Sequence, residues 1–234
     1  MNRRRVTQLN QLTCRIAWFA LLVVLASTRG FAADLDKVLA QMDAASARFQ
    51  NAQADFLWDN YTKVVDDHEQ QFGTIYFDRG GGQTQMAALI QKPAKKTVVY
   101  KDGVLDYYDP SLDQLNVFSA GKNKAQYESF LTLGFGGSGK DLNASWQIAD
   151  LGAETIDGVA TEKLDLKSQP AKENAKIDHI TIWVDATRAV SLKQVFFYTS
   201  GDTRTCTFTN IKYNQKKLPK GVFDVPKAKN VVQK

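Results

Sequence analysis

Two cysteines, two histidines, five prolines and no apolar run of membrane-spanning length narrow the reading at once. Cys14 lies ahead of the apolar run Ile16–Leu25, so it is not placed at a cleavage point where a lipoprotein cysteine would be acylated. Cys206 is then the one thiol of the remaining chain, which excludes an internal disulfide and leaves the core and strand ladders to hold the fold. In the segment TRTCTFTN, Cys206 and Phe208 alternate with Thr205, Thr207 and Thr209, which reads as a small buried hydrophobe on a strand, not a nucleophile. His68 falls in a turn pattern and His179 in a strand pattern, a spacing that offers no metal site. No serine stands in a nucleophile-elbow pattern. Asp102, Asp109, Asp157, Asp185 and Asp202 all fall at predicted turns, where bonding to the local backbone is reason enough for them. The expectation is a protein that is not an enzyme and needs neither metal nor cofactor.

The chain opens with a basic start (Arg3, Arg4, Arg5), the short apolar run, and small residues at Ala26–Ser27 and Gly30–Ala33. That is the layout of a secretory signal peptide over residues 1–33, with cleavage near Ala32 or Ala33 and export to the periplasm. A bilayer span needs about 20 apolar residues, twice what this run supplies. Five of the thirty basic residues lie in 1–33 and none of the acids does, so residues 34–234 carry twenty-five of each sign. A neutral balance is poor support for nucleic-acid binding or for electrostatic docking to anionic lipid. Residues 34–234 are expected to form a single domain, and a monomer.

Gly134 to Lys140 satisfies the first seven positions of a phosphate-binding loop. The eighth position must be Ser or Thr, and the loop must join a strand to a helix. Here Asp141 follows, and the preceding segment reads as a helix. A flexible glycine-rich loop to Asn143 is the better account.

Asp34 to Asn51 is expected to be a helix capped by Asp34, with Leu35, Val38, Leu39, Met42, Ala45 and Phe49 forming one apolar stripe. From Ala52 the period becomes two: Ala52, Ala54, Phe56 and Trp58 alternate with polar neighbours, and a polar turn near Val65–Glu69 leads into Phe72–Phe77, a long hairpin. A strand over Gln83–Gln91 follows the glycines at 80–82. Thr97 to Phe118 reads as a three-stranded meander turned at Asp102-Gly103 and Asp109-Pro110-Ser111. Asn123 to Leu133 is a second amphipathic helix showing Phe130 and Leu131. Five more strands are expected over 146–156, 159–166, 177–184, 190–198 and 203–213. The tail is basic and has no structure until Val222–Val225.

Aromatic residues concentrate on the strands, and one long curved antiparallel sheet leaves a face to water and a face for the two helices. Two short helices fill a deep concavity incompletely, and an apolar hollow of that kind suits a hydrocarbon ligand. At roughly 0.8 kcal/mol per buried methylene, a sixteen-carbon chain gains about 12 kcal/mol on leaving water. Leu35, Val38, Leu39, Met42 and Phe49, with Phe130 and Leu131, are expected on the helix side of that hollow. Phe56, Ile75, Phe77, Tyr107, Ile182 and Phe196 are expected on the sheet side.

In these features the chain resembles the LolA-type carriers of bacterial outer-membrane lipoproteins. The likeness runs from the first helix to Val232 through Ala54-Asp55-Phe56, Gly73-Thr-Ile-Tyr-Phe-Asp-Arg79, Asp102-Gly103, Tyr108-Asp109-Pro110 and the tail Leu218-Pro219, Phe223, Pro226 and Val231. It implies an α+β, mainly antiparallel fold: a half-open β-barrel of about ten or eleven strands with two or more helices in its concavity. It also implies a carrier that takes acylated lipoproteins from an inner-membrane releasing transporter to an outer-membrane acceptor. By the same resemblance Arg79 corresponds to the arginine that tethers the lid helices. Two departures stand out: Gly80-Gly81-Gly82 replaces a proline after that arginine, and Asp106 replaces an aromatic before Tyr108. The alternative on the same scaffold is a lipoprotein- or lipid-sensing module that acts through a signalling partner.

Overall fold

Asp102 and Gly103 both take positive φ (54° and 81°), as do Asp157 and Gly158 (48° and 78°), so two hairpins turn on Asp-Gly pairs whose twist matches the strands they join. The computed structural model describes residues 30–80, 82–168 and 176–234, so nearly all of the expected signal peptide and part of the turn expected over 168–175 lie outside the described residues. The chain divides into two units, residues 1–37 and 38–234. Among the described residues no helix is long and apolar enough to cross a membrane.

The described helix α1 is Gly30–Ser46. It starts ahead of Asp34, which is therefore not its cap. Its end at Ser46 leaves Phe49 in the turn before the first strand.

Among the described residues twelve strands form one sheet: β1 (Asn51–Thr62), β2 (Asp67–Asp78), β3 (Gln85–Lys92), β4 (Lys96–Lys101), β5 (Val104–Asp109), β6 (Gln114–Ser119), β7 (Trp146–Ile156), β8 (Val159–Ser168), β9 (Ile177–Asp185), β10 (Val190–Tyr198), β11 (Thr203–Tyr213) and β12 (Asn230–Gln233). Their order is β12-β6-β5-β4-β3-β2-β1-β11-β10-β9-β8-β7, an open sheet whose edges are β12 and β7. Sequence neighbours pair as meanders, and the one long-range antiparallel join is β1 with β11. This is the mainly antiparallel, incompletely closed barrel wall the sequence predicts. The strand count rises from the expected ten or eleven to twelve because β12 adds in parallel to β6. Its four exposed residues carry no periodic signal, and the strand exists only through its neighbour.

One face of the sheet holds the main core. Ala52, Ala54 and Phe56 of β1, Ile75 and Phe77 of β2, Met86, Ala88 and Ile90 of β3, and Cys206 and Phe208 of β11 pack together there. At Asn210 (φ 51°) a bulge sets two β11 residues against Ala54 of β1. The bulge keeps Ile211 and Tyr213 on the inner face after Cys206 and Phe208, although the spacing has slipped by one.

The other face is not left to water as expected. Tyr76, Ala87 and Val99 alternate with the inner-face residues and are covered by Leu218, Val222, Phe223 and Val225 of the C-terminal segment. That segment lies across β2, β3 and β4 as a strap before it reaches β6.

Helices α2 (Lys124–Thr132) and α3 (Gly139–Ser145) come from the connection between β6 and β7. The second of them replaces an expected loop. Ser138 starts α3 by accepting a 3.0 Å hydrogen bond at Oγ from the Asp141 N–H.

Candidate ligand-binding hollow

The connection Gly134–Gly139 decides the inner side of the sheet. Phe135 is 1% exposed, stacks on Phe77 (centroids 4.4 Å apart) and meets Phe208 edge-on at 5.2 Å. Gly136 has φ 76°, and a Cβ there would sit 2.6 Å from the Phe49 ring; one on Gly139 would sit 2.2 Å from the Leu39 carbonyl oxygen. The glycines are therefore contact points, and the expectation of a flexible loop is corrected: the backbone has to come this close for Phe135 to reach the sheet. The Lys140 N–H donates to Asp43 Oδ1 at 3.0 Å, so this stretch is not an anion cradle.

Beside Phe135 an open hollow remains along the inner face of the sheet. Its sheet side is made by Trp58, Ile75, Phe77, Met86, Phe196, Cys206 and Phe208, and its other side by Phe130, Leu131, Gly134 and Phe135. Gln194 and Arg204 are the polar members. Arg204 Nε donates to Asn60 Oδ1 at 2.6 Å and is exposed, which places a cation on an otherwise greasy rim. Burial pushes the Cys206 thiol up to about 12, so it lines the hollow as a neutral apolar group.

The glycine connection is tied to the sheet by backbone bonds, Ser191 N–H to the Gly134 carbonyl at 2.7 Å and Gly136 N–H to the Ala189 carbonyl at 2.8 Å, and two side-chain contacts add to them. Arg79, at the end of β2, donates from Nη1 to Ser46 Oγ at 3.3 Å and to the Gly136 carbonyl. Ser46 Oγ itself donates to the same carbonyl at 2.7 Å. One guanidinium thus joins the end of α1, the glycine connection and the sheet. The second contact is Tyr100 on β4, fully buried, whose hydroxyl donates to Glu128 Oε1 of α2 at 3.1 Å. Burial first, and the Glu128 carboxylate second, push this phenol up to about 12.

Of the residues expected at the hollow, Ile75, Phe77, Phe130, Leu131 and Phe196 line it. Phe56 and Phe49 lie in the adjoining core, where Phe56 stacks on Trp58 at 4.2 Å and Phe49 tilts against Tyr213 at 5.9 Å. Ile182 is fully buried on the inner face, opposite Gln194 and Leu164, away from the opening. Tyr107 shares the inner face with Val98, its partner on β4, with the Lys96 ammonium 5.9 Å from its ring. Val38 and Met42 are buried, Leu39 is half-buried, and Met42 borders a separate small space between α1, α2 and α3. Leu35 belongs to the unit 1–37.

The sequence reading did not pick out Phe135, Gln194, Arg204 or Tyr100. For Phe135 a signal existed: a large aromatic alone among glycines is a side chain that the backbone is shaped to deliver.

No family model and no curated protein matches the sequence. Solved structures do match. An uncharacterized conserved protein from Thermus thermophilus is 13% identical, with a TM-score of 0.55 over 85% of this chain and 98% of its own. MucB, also solved in a MucA/MucB complex of Pseudomonas aeruginosa, is 13% identical with a TM-score of 0.55, over 85% of this chain and 66% of MucB. A LolA superfamily protein from Nitrosomonas europaea is 13% identical with a TM-score of 0.40, over 81% of this chain and 97% of its own. The likeness to the first two of these structures is one of fold.

Proposed function

We propose that the chain is a periplasmic carrier that holds the acyl chains of lipoproteins in the hollow between the sheet and α2, and moves them from the inner toward the outer membrane. The observation that carries the reading is the incomplete filling of the inner face: Phe135 reaches the sheet, yet a largely apolar hollow stays open beside it. Hydrocarbon is the ligand that such a lining favours, since each methylene that leaves water contributes about 0.8 kcal/mol. Arg79 acts as the latch, tying α1 and the glycine connection to the wall until cargo displaces them. The reading assigns no catalytic step and no cofactor. An inner-membrane releasing transporter supplies the cargo and an outer-membrane acceptor takes it, with the carrier as a monomer. The test is mass spectrometry of material that co-purifies with the protein from periplasm: acylated lipoproteins are expected, and their absence from a protein that retains its fold would end the proposal.

A second reading is supported by the likeness to MucB, a protein solved together with MucA. On it, the hollow senses a lipid or lipoprotein and the chain passes the signal to a protein partner. Capture of a signalling protein in place of lipoprotein cargo would favour this reading over the carrier.

A further inference from the structure

The balance of charge over residues 34–234 conceals a separation. Residues 212–234 hold seven lysines, Lys212, Lys216, Lys217, Lys220, Lys227, Lys229 and Lys234, and a single acid, Asp224. The rest of the segment, 34–211, is left with eighteen bases against twenty-four acids. All seven lysines are exposed. Lys229 approaches Asp113 at 3.8 Å, and no other of the seven makes an ion pair among the described residues.

These charges are held in place. Asn51 Nδ2 donates to the Gln215 carbonyl at 2.9 Å, and the Gln215 N–H donates back to Asn51 Oδ1 at 2.8 Å. Leu218, Val222, Phe223 and Val225 then sink into the outer face over Tyr76, Ala87 and Val99. Asn230 N–H bonds the Asp113 carbonyl at 3.1 Å and Lys234 N–H bonds the Val117 carbonyl at 2.9 Å, which fixes β12 on β6. The apolar residues of the strap face the sheet, and the lysines between them face solvent. Apart from Lys234, whose ammonium lies 5.4 Å from the Phe118 ring, a row of cations therefore crosses the side of the sheet opposite the hollow.

We infer that this strap is a docking surface for an anionic phospholipid bilayer. The residue choice favours a lipid surface over a protein: every basic residue of the strap is lysine, a hydrated point charge, and none is arginine, whose planar fork suits defined carboxylate pairs. The lysines are spread along an extended segment and do not converge on a pocket, which matches a diffuse field of headgroup charge. Clusters of four to eight basic residues are the recognised electrostatic signature for anionic lipid. Docking by this face leaves the opposite face, with its hollow, clear. The inference does not depend on what the hollow binds.

The experiment is co-sedimentation of the exported protein with vesicles made of equal parts phosphatidylglycerol and phosphatidylcholine, beside vesicles of phosphatidylcholine alone. At least about tenfold stronger binding to the anionic vesicles is expected, with most of it lost when added salt shortens the screening length from about 10 Å toward 3 Å. The quadruple variant Lys216→Gln, Lys217→Gln, Lys220→Gln, Lys227→Gln alters only exposed side chains, so its melting temperature should stay unchanged while the anionic preference falls about tenfold or more. Equal binding to both vesicle types, or a preference that survives in the variant, overturns the inference. So does failure to bind vesicles in a protein whose strap lysines instead prove necessary for capturing an acidic protein.

Discussion

Phe135 lies on Phe77 with ring centroids 4.4 Å apart and planes 26° from parallel, so a residue from a glycine-rich connection makes one wall of the hollow and a strand makes another. Truncation of that ring would merge its volume with the space beside it. Phe135→Ala is expected to lower stability by about 3–5 kcal/mol in chemical denaturation. Phe135→Leu should cost less and remain folded, with a larger hollow that takes up more of a hydrocarbon probe. A Phe135→Leu protein with unchanged probe uptake would show that the hollow is not bounded by this ring.

Arg79 touches two groups that also satisfy each other, since Ser46 Oγ donates to the Gly136 carbonyl without its help. Removal of the guanidinium therefore strands neither partner. Arg79→Leu is expected to cost no more than about 1.5 kcal/mol of stability, while the release rate of bound lipid changes severalfold. Arg79→Lys, with one point of donation in place of a fork, should fall between the two. Stopped-flow displacement of a fluorescent fatty acid measures the rate, and equal rates in wild type and Arg79→Leu would remove the latch.

Gly139 has its missing Cβ directed at the Leu39 carbonyl oxygen, 2.2 Å away. Gly139→Ala forces α1 and α3 apart and is expected to cost about 1–3 kcal/mol. Gly82 and Gly121 have nothing within 4 Å of such an atom, although both take positive φ. A melting series should therefore rank Gly139→Ala well below Gly80→Ala, where the nearest atom is 3.4 Å away.

Two buried acids set the alkaline limit. Tyr100 is raised from 10.0 to about 12 and Cys206 from 9.0 to about 12, both chiefly by burial. Each is neutral in the fold, so the stability its neutral form supports is complete below the unfolded value and is lost as pH climbs toward the folded one. Stability should hold level through neutral pH and decline between about pH 9 and 12. Tyr100→Phe should flatten the upper part of that decline. At the acid end Asp185 behaves oppositely. Burial alone would raise it, but donors from Thr187 and Arg188 outweigh burial and hold it below the usual carboxylate value. Its contribution is present above that usual value and disappears as pH falls through the lowered one. Urea midpoints taken across pH, in wild type and Asp185→Asn, check both limits.

Much of the sheet was legible because hairpins write themselves locally. The alternation Ala52, Ala54, Phe56, Trp58 and the Asp-Gly turns at 102 and 157 gave strand limits and the buried face to within a few residues. What failed was non-local. β12 depends on an edge that β6 happens to offer, the strap depends on an outer face with apolar residues to cover, and α3 is too short for a periodic stripe. The hollow was legible in composition but not in detail: Phe196 and Ile182 face the same side, yet one borders the opening and the other is sealed beneath. The bulge at Asn210 sets a separate limit, since one inserted residue shifts facing beyond anything an alternation rule can follow.

Trp58 is the tryptophan that lines the hollow, and it reports on the central claim directly. A lipid whose acyl chain carries bromine is expected to quench the protein's fluorescence on binding, and Trp58→Phe should abolish most of that quenching while leaving binding in place. Quenching that persists undiminished in Trp58→Phe, or none at all in wild type with lipid bound, would contradict an acyl chain seated between the sheet and α2.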